Sequence, residues 1–230
     1  MKKLLVLFDI DGTLTNRVGN LKESLWRFPY AVKKLFNVDL NLTVDDYMSF
    51  NGWIDKAQVW EMVKTKGVSR DEYEKKFPKF GEIVLEYFKF HKPTYTTAPG
   101  AKELLQNLYE RGVNLGVITG NVEEGAWWKL DNVGIRNYFS FGLFGGEAND
   151  RVELASYVFE KAKRHFGTAF LPDNIVIIGD TVHDVRSAKE NGLKSILILT
   201  GGQNSEVPKD VTPNLIVSSL EDKKVLEFLM

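Results

Sequence analysis

The stretch Leu4-Leu5-Val6-Leu7-Phe8-Asp9-Ile10-Asp11-Gly12-Thr13-Leu14-Thr15 decides how this chain is read. Its apolar run predicts a buried strand, and two carboxylates stand where that strand ends. The strand ends of an open α/β sheet are where such sheets do their chemistry. Two acids one residue apart, followed by a glycine that lets the backbone turn sharply, offer a nucleophile, a proton donor and a seat for a hard cation within a few ångströms. Asp-Gly is also a common turn signal, so the string by itself equally fits an ordinary strand end. The rest of the chain has to decide between these.

Working outward, further apolar runs at Val113–Ile118, Ser140–Phe144, Ile175–Ile178 and Ser195–Leu199, and a weaker one at Leu215–Val217, read as more buried strands. Helical patterns lie between most of them, at Gly100–Glu110, Val122–Val133, Arg151–His165 and Val182–Asn191. Alternating strands and helices imply parallel pairing with right-handed crossovers. The stretch from Asn16 to Lys92 breaks the alternation. It has no convincing strand but several amphipathic pieces: Leu21–Phe36, Val44–Ser49, Trp53–Lys66 and Arg70–His91. Pro78 should kink or restart the last of these near Phe77. The segment Pro93–Pro99 reads as a return hinge. The expectation is therefore an α/β fold with a Rossmann-like parallel core over 1–15 and 93–230, carrying an inserted all-helical cap over 16–92.

Composition narrows the function. Thirty basic and 31 acidic residues leave a net charge of −1 over 230 residues, so no basic field recommends nucleic acid or an anionic membrane. A small ligand fits better. The absence of cysteine excludes disulfides, thiolate metal sites and a cysteine nucleophile, and fits a reducing cytoplasm. Lys2-Lys3 and the following apolar run superficially suggest a signal peptide, but the run is short and ends in acids. No apolar stretch approaches the roughly 18 residues of a membrane span. A monomer or homodimer is expected.

Two further strand ends carry polar signatures. Val117-Ile118-Thr119-Gly120-Asn121 closes one strand with a hydroxyl, a glycine and an amide, and the next helix, from about Val122, would aim its N-terminal N–H groups at the same spot. Taken alone, Thr-Gly-Asn also fits an N-cap and turn. Ile177-Ile178-Gly179-Asp180-Thr181-Val182-His183-Asp184 repeats the design, with Asp180 and Asp184 four apart and able to share one side of a first helical turn. Acids placed for the helix dipole would look the same.

Together these motifs resemble the haloacid dehalogenase superfamily. Phe8–Thr15 is similar to its first motif, Thr119-Gly120-Asn121 to its second and Gly179–Asp184 to its fourth. The resemblance covers Met1–Thr15 and about Lys92–Met230, and the insertion only as a helical cap of the type found after the first strand. The family's third element, a lysine facing the phosphate, has no direct counterpart, since no lysine lies between Lys129 and Lys161; Arg151 is the candidate in its place. Arginine can bind two oxygens and stays charged. A helix-start arginine paired with Asp150 or Glu147 is the competing reading, in which case Lys129 is the first alternative for the phosphate cation.

The resemblance implies a Mg²⁺-dependent phosphatase of small phosphorylated metabolites, similar to phosphoglycolate phosphatases, with a phosphomutase of the β-phosphoglucomutase type as the alternative. Members named for dehalogenation lack the second acid, so Asp11 points towards phosphoryl transfer. By resemblance Asp9 is the nucleophile that forms a phosphoaspartate, and Asp11 is the general acid and then the base. Thr119, Gly120, Asn121 and Arg151 hold the phosphate. Mg²⁺ is held by Asp9, the backbone carbonyl of Asp11 and Asp180, with Asp184 completing the acidic set. The acid role requires a protonated Asp11 near neutral pH; clustered acids favour that, while a metal and Arg151 oppose it. His183 inside the fourth motif reads as a variable position of the family, since a chain with three histidines offers little for a histidine metal site, while the pair Trp127-Trp128 and the cap aromatics Trp26, Phe28, Tyr30, Trp53 and Trp60 read mainly as packing. Asn16 and Arg17 depart from the family pattern, so no relative's substrate carries over.

Overall fold

The computed structural model describes residues 3–199 and 211–230. The first apolar run forms β1 (Leu5–Phe8), every residue of it buried. The chain then forms β2 (Thr15–Val18), passes through six helices and returns in β3 (Thr94–Thr97). Five more strands follow: β4 (Asn114–Thr119), β5 (Phe141–Phe144), β6 (Ile175–Gly179), β7 (Lys194–Ile198) and β8 (Leu215–Val217). All but β2 and β3 join one parallel sheet in the order β5-β4-β1-β6-β7-β8.

β1 is central because it is apolar on both faces. Val6, Phe8 and Ile10 enter one hydrophobic cluster, while Leu5 and Leu7 enter the cluster on the other side, as the two-residue period of a strand requires. The chain runs outward from β1 through β4 to β5, then crosses back to β6, so the strand order reverses beside β1. Phe8 pairs with Val117 on one side and Ile178 on the other. That register brings Asp9, Thr119 and Asp180 to one edge of the sheet, at the switch point where ligands bind in such folds.

The helices between β2 and β3 are α1 (Leu21–Leu25), α2 (Arg27–Phe36), α3 (Val44–Met48), α4 (Asp55–Val63), α5 (Arg70–Lys76) and α6 (Phe80–His91). They bury their own cluster, including Phe28, Val32, Tyr73, Phe80 and Phe88. A 3-10 turn over Phe77–Lys79 carries Pro78 and separates α5 from α6, because proline removes an amide and blocks a continuous ladder. The later helices are α7 (Ala101–Glu110), α8 (Glu123–Asn132), α9 (Arg151–Ser156), α10 (Val158–Phe166), α11 (Val182–Glu190) and α12 (Lys223–Leu229). The pattern at 151–165 is two helices broken at Tyr157, and that at 21–36 is two broken at Trp26. Among the described residues no helix is long and apolar enough to cross a membrane.

One element differs from the sequence reading. The segments around Asn16 and Pro93–Pro99 form an antiparallel ribbon in which Thr15 faces Thr97 and Val18 faces Thr94. Neither strand alternates apolar and polar residues, so neither signals itself. Their pairing is made by the exit and return of the chain.

Candidate active site

Asp9 follows β1 directly, its amide donating to the Ile178 carbonyl at 2.8 Å. Gly12 next to it has φ of 86°, and a Cβ there would meet Asp180 Oδ2 at 2.3 Å. Only glycine allows the left-handed turn and this close approach. Asp9, Asp180 and Asp184 are all buried, and each offers a carboxylate oxygen within 4.8 Å of the others. Asp184 lies in the first turn of α11, where its Oδ2 accepts from the Thr181 amide at 3.1 Å and the Thr181 hydroxyl at 2.6 Å in a capping box. Asp180 Oδ1 accepts from the Thr13 hydroxyl at 3.3 Å.

Arg151 reaches into this acidic cluster from the start of α9. Its guanidinium donates to Asp184, contacts Asp9 Oδ1 at 3.2 Å and donates from Nε to the Gly52 carbonyl at 2.9 Å. The competing pairings are absent: Asp150 caps its own helix at the Glu153 amide, and Glu147 pairs with Lys161. Burial works against the Arg151 charge, yet Asp184 and Asp9 together hold its pKa above the ordinary value. Burial, and after it the neighbouring acids, push the Asp9 carboxyl well up despite Arg151. Asp180 is pushed up to about 7, by burial and then by Asp184. One guanidinium among three buried acids leaves the cluster short of positive charge.

Asp11 points elsewhere. Its Oδ2 accepts from Lys129 Nζ at 2.5 Å and from Asn121 Nδ2 at 2.8 Å, and Lys129 also donates to Asn121 Oδ1 at 2.7 Å. Asn121 Nδ2 and the Asn121 amide both reach the Thr119 hydroxyl, at 2.8 and 3.3 Å. Burial favours a protonated Asp11, but the charges of Lys129 and Arg17 and the bonds from Lys129 and Asn121 outweigh it and lower its pKa. The balance that the sequence left open thus falls on the ionised side, through Lys129, a cation that the sequence reading had not placed beside Asp11.

The helices between β2 and β3 supply the other wall. The Asp55 amide donates to the Gly120 carbonyl at 2.7 Å, and Asp55 Oδ2 accepts from the Val122 amide at 2.9 Å. The N-terminus of α8, expected to face a bound anion, is therefore met by a carboxylate of this chain. Gly120 is required here, since a Cβ would stand 2.3 Å from the Trp53 carbonyl oxygen. Between the two walls lies a cavity of about 110 Å³, lined by Asp9, Asp11, Gly120, Asn121 and Arg151 from below and by Arg17, Arg27, Tyr47, Trp53 and Gln58 from above. Its size suits a small molecule. His183 packs against Gly52 beside it, half-buried, with its pKa lowered first by burial.

The donor set fits a hard divalent cation such as Mg²⁺: oxygen donors only, three acids converging, and burial that, with their mutual repulsion, raises two of their pKa values. Both Asp184 oxygens are already engaged, which leaves Asp9 and Asp180 as the least committed donors. The structure brings Asp9, Asp180, Asp184 and Arg151 into one cluster, and Asp11, Thr119 and Asn121 into a second beside it. Asp55, Arg17, Arg27 and Tyr47 were missed as site residues, and Lys129 was expected only as the alternative to Arg151 facing the phosphate, whereas it pairs with Asp11. Lys129 alone left a trace: it falls with Gly125, Ala126 and Leu130 on the buried stripe of α8, where a lysine needs a partner.

Comparison with known proteins agrees with this geometry. A family model for haloacid dehalogenase-like hydrolase matches residues 6–198. A phosphoglycolate phosphatase of Aquifex aeolicus is 27% identical over 97% of this chain and 99% of its own length. The pyrophosphatase PpaX of Oceanobacillus iheyensis is 22% identical over 94% of this chain and 93% of its own. Among solved structures, CbbY from Rhodobacter sphaeroides in complex with phosphate superposes with a TM-score of 0.72 at 16% identity, covering 96% of each chain.

Proposed function

The chain belongs to the haloacid dehalogenase-like hydrolases, and from that membership we propose that it is a phosphatase of small phosphomonoesters, phosphoglycolate phosphatase-like, that works with Mg²⁺. The observation that carries the reading is Asp9: a buried carboxylate at the end of the central strand, opening on a small cavity, with a guanidinium at 3.2 Å and two more acids beside it.

In this reading an Asp9 oxygen attacks phosphorus in line and the bond to the leaving alcohol breaks, giving a phosphoaspartate. Arg151 and the Gly120 and Asn121 loop neutralise and orient the phosphoryl oxygens, with the Thr119 hydroxyl behind Asn121. Water then attacks the phosphoaspartate; Asp11 takes its proton, and inorganic phosphate leaves with Asp9 restored. In the first half of the cycle Asp11 must give a proton to the alcohol, against the pull of Lys129. Asp9, Asp180, Asp184 and the Asp11 carbonyl are the groups that would hold Mg²⁺, which would supply charge neutralisation at the phosphate. Residues 16–92 act as the cap that selects the substrate. The lack of cysteine supports a reducing compartment such as the cytoplasm.

The test is phosphate release from p-nitrophenyl phosphate and phosphoglycolate. Activity is expected to need Mg²⁺ and to vanish in Asp9→Asn, which keeps the volume while removing the nucleophile. Full activity in EDTA or in that variant overturns the reading. A β-phosphoglucomutase-type mutase would return an isomerised sugar phosphate in place of free phosphate.

A further inference from the structure

The turn from Thr119 to Val122, between β4 and α8, carries groups assigned to the phosphate but does not hold itself in place. Val122 is the N-cap of α8, and no side chain of the turn caps the helix there, since a valine offers no acceptor. Asn121, just before it, spends its side chain on Asp11, Thr119 and Lys129. Asp55, 67 residues earlier, supplies the missing hold. It grips the turn twice, its amide donating to the Gly120 carbonyl at 2.7 Å and its Oδ2 accepting from the Val122 amide at 2.9 Å. The Lys56 amide donates to the Gly145 carbonyl at 3.1 Å, and the Gly145 amide donates in turn to the Asn121 carbonyl at 2.8 Å. A carboxylate is a costly choice for this hold. Asp55 is 3% exposed and lines the catalytic cavity, so its charge repels a bound phosphate where solvent screens little. Burial raises its pKa, and Arg27, with Nη2 at 3.5 Å from Oδ1, opposes the rise. Arg27 is itself fixed, by the Ser24 carbonyl at 2.8 Å and by the Phe28 ring, whose centroid lies 4.1 Å from its guanidinium.

Resting on the phosphatase reading, we propose that Asp55 is a positioning residue for the phosphate: its carboxylate braces the Gly120–Val122 turn, so that Thr119, Gly120 and Asn121 are set for the phosphoryl oxygens before substrate arrives. Groups ordered in advance lose less freedom on binding. Asp55 acts through the backbone of the turn and touches no reacting atom. What the turn uses is an acceptor at the Val122 amide; the charge that comes with it is contained by Arg27.

Substitution at position 55 leaves the backbone half of the grip and tests the side-chain half. Inorganic phosphate is titrated calorimetrically into the intact protein with Mg²⁺ present. Loss of the carboxylate removes a repelling charge and releases that of Arg27, so electrostatics alone predicts tighter phosphate binding in both Asp55→Asn and Asp55→Ala. Only asparagine keeps an acceptor for the Val122 amide. Asp55→Asn is therefore expected to bind phosphate at least as tightly as wild type, and Asp55→Ala to bind it more weakly than wild type and about tenfold more weakly than Asp55→Asn. Val122→Pro cuts the brace from its other end. The φ of −64° at Val122 already suits proline, whose ring removes the donor and turns the carboxylate aside while the charge of Asp55 stays. Its phosphate affinity should match that of Asp55→Ala. Circular dichroism checks folding, and should Asp55→Ala fail to fold, Val122→Pro against Asp55→Asn decides in the same terms. Equal affinities in Asp55→Asn and Asp55→Ala overturn the proposal: if both are tight, Asp55 is only a nearby charge, and if both are weak, the pair with Arg27 is the contact that matters. No heat from phosphate in wild type overturns it as well. The expected order of affinities without phosphate release from phosphoglycolate or p-nitrophenyl phosphate leaves the brace standing and overturns the phosphatase reading instead.

Discussion

At the residue scale the least ordinary group is Lys129, 0% exposed yet charged. Its ammonium is satisfied by Asp11 and Asn121 and lies 5.4 Å over the Tyr95 ring, the kind of pairing a buried charge needs. Lys129 touches Asp11 and does not line the cavity, so it is a positioning residue. Lys129→Met should lower kcat at least about tenfold with a smaller rise in KM, because Asp11 loses its anchor and Asn121 loses one of its contacts. Steady-state kinetics checks this; a raised KM with unchanged kcat would instead place Lys129 against substrate. Asp11→Asn should hurt alkyl phosphates more than p-nitrophenyl phosphate, whose leaving group needs no proton. The acids and Thr119 were legible because each ends or follows an apolar strand. Lys129 meets Asp11 across 118 residues of sequence, and Arg17 and Asp55 likewise owe their positions to contacts between distant segments. Sequence order alone does not reveal those contacts.

At the scale of elements, strands apolar on both faces and the helices between them were readable, since burial on two sides leaves no polar residues to confuse the period. β2 and β3 were not, because four residues without alternation carry no signal until they pair. The loop from Gly52 to Asp55 depends on equally unreadable contacts. Gly120→Ala would force a Cβ against the Trp53 carbonyl at 2.3 Å, and neither backbone can yield without losing the bond from the Asp55 amide to Gly120. Overpacking of this kind costs about 1–3 kcal/mol. The variant should therefore melt several degrees lower and show a raised KM. Gly146→Ala, whose Cβ would meet ordinary contacts at 3.5 Å and beyond, should melt with wild type in the same scanning calorimetry.

At the scale of the whole molecule, the acidic cluster ties stability to pH and, under the proposed function, to Mg²⁺. Asp9 and Asp180 have pKa values raised above those of the unfolded chain, Asp180 to about 7. Such groups favour the folded state fully below the ordinary carboxylate pKa, and that advantage is lost as pH rises through the folded value. For one group the slope approaches about 1.4 kcal/mol per pH unit in between. In EDTA the melting temperature should fall between pH 5 and pH 8, and Asp180→Asn should flatten the decline. Added Mg²⁺ should raise it more at pH 8 than at pH 5, since protons and metal compete for the same oxygens. A pH-independent Mg²⁺ effect would mean that the ion binds away from these acids. The helical cluster and the cluster on the Phe8 face of β1 meet where α6 packs on α8, with Phe88 against Trp128 at 4.8 Å and Gly125 beside Val84. Asp55 closes the same junction by capping α8 at Val122. Domain grafting inherits a constraint from this: a foreign helical insertion placed on this sheet would arrive without the carboxylate that ends α8. Chimaeras between relatives should function only when residues 52–56 travel together with Gly120 and Val122, so the exchangeable unit spans the seam between the helical segment and the sheet.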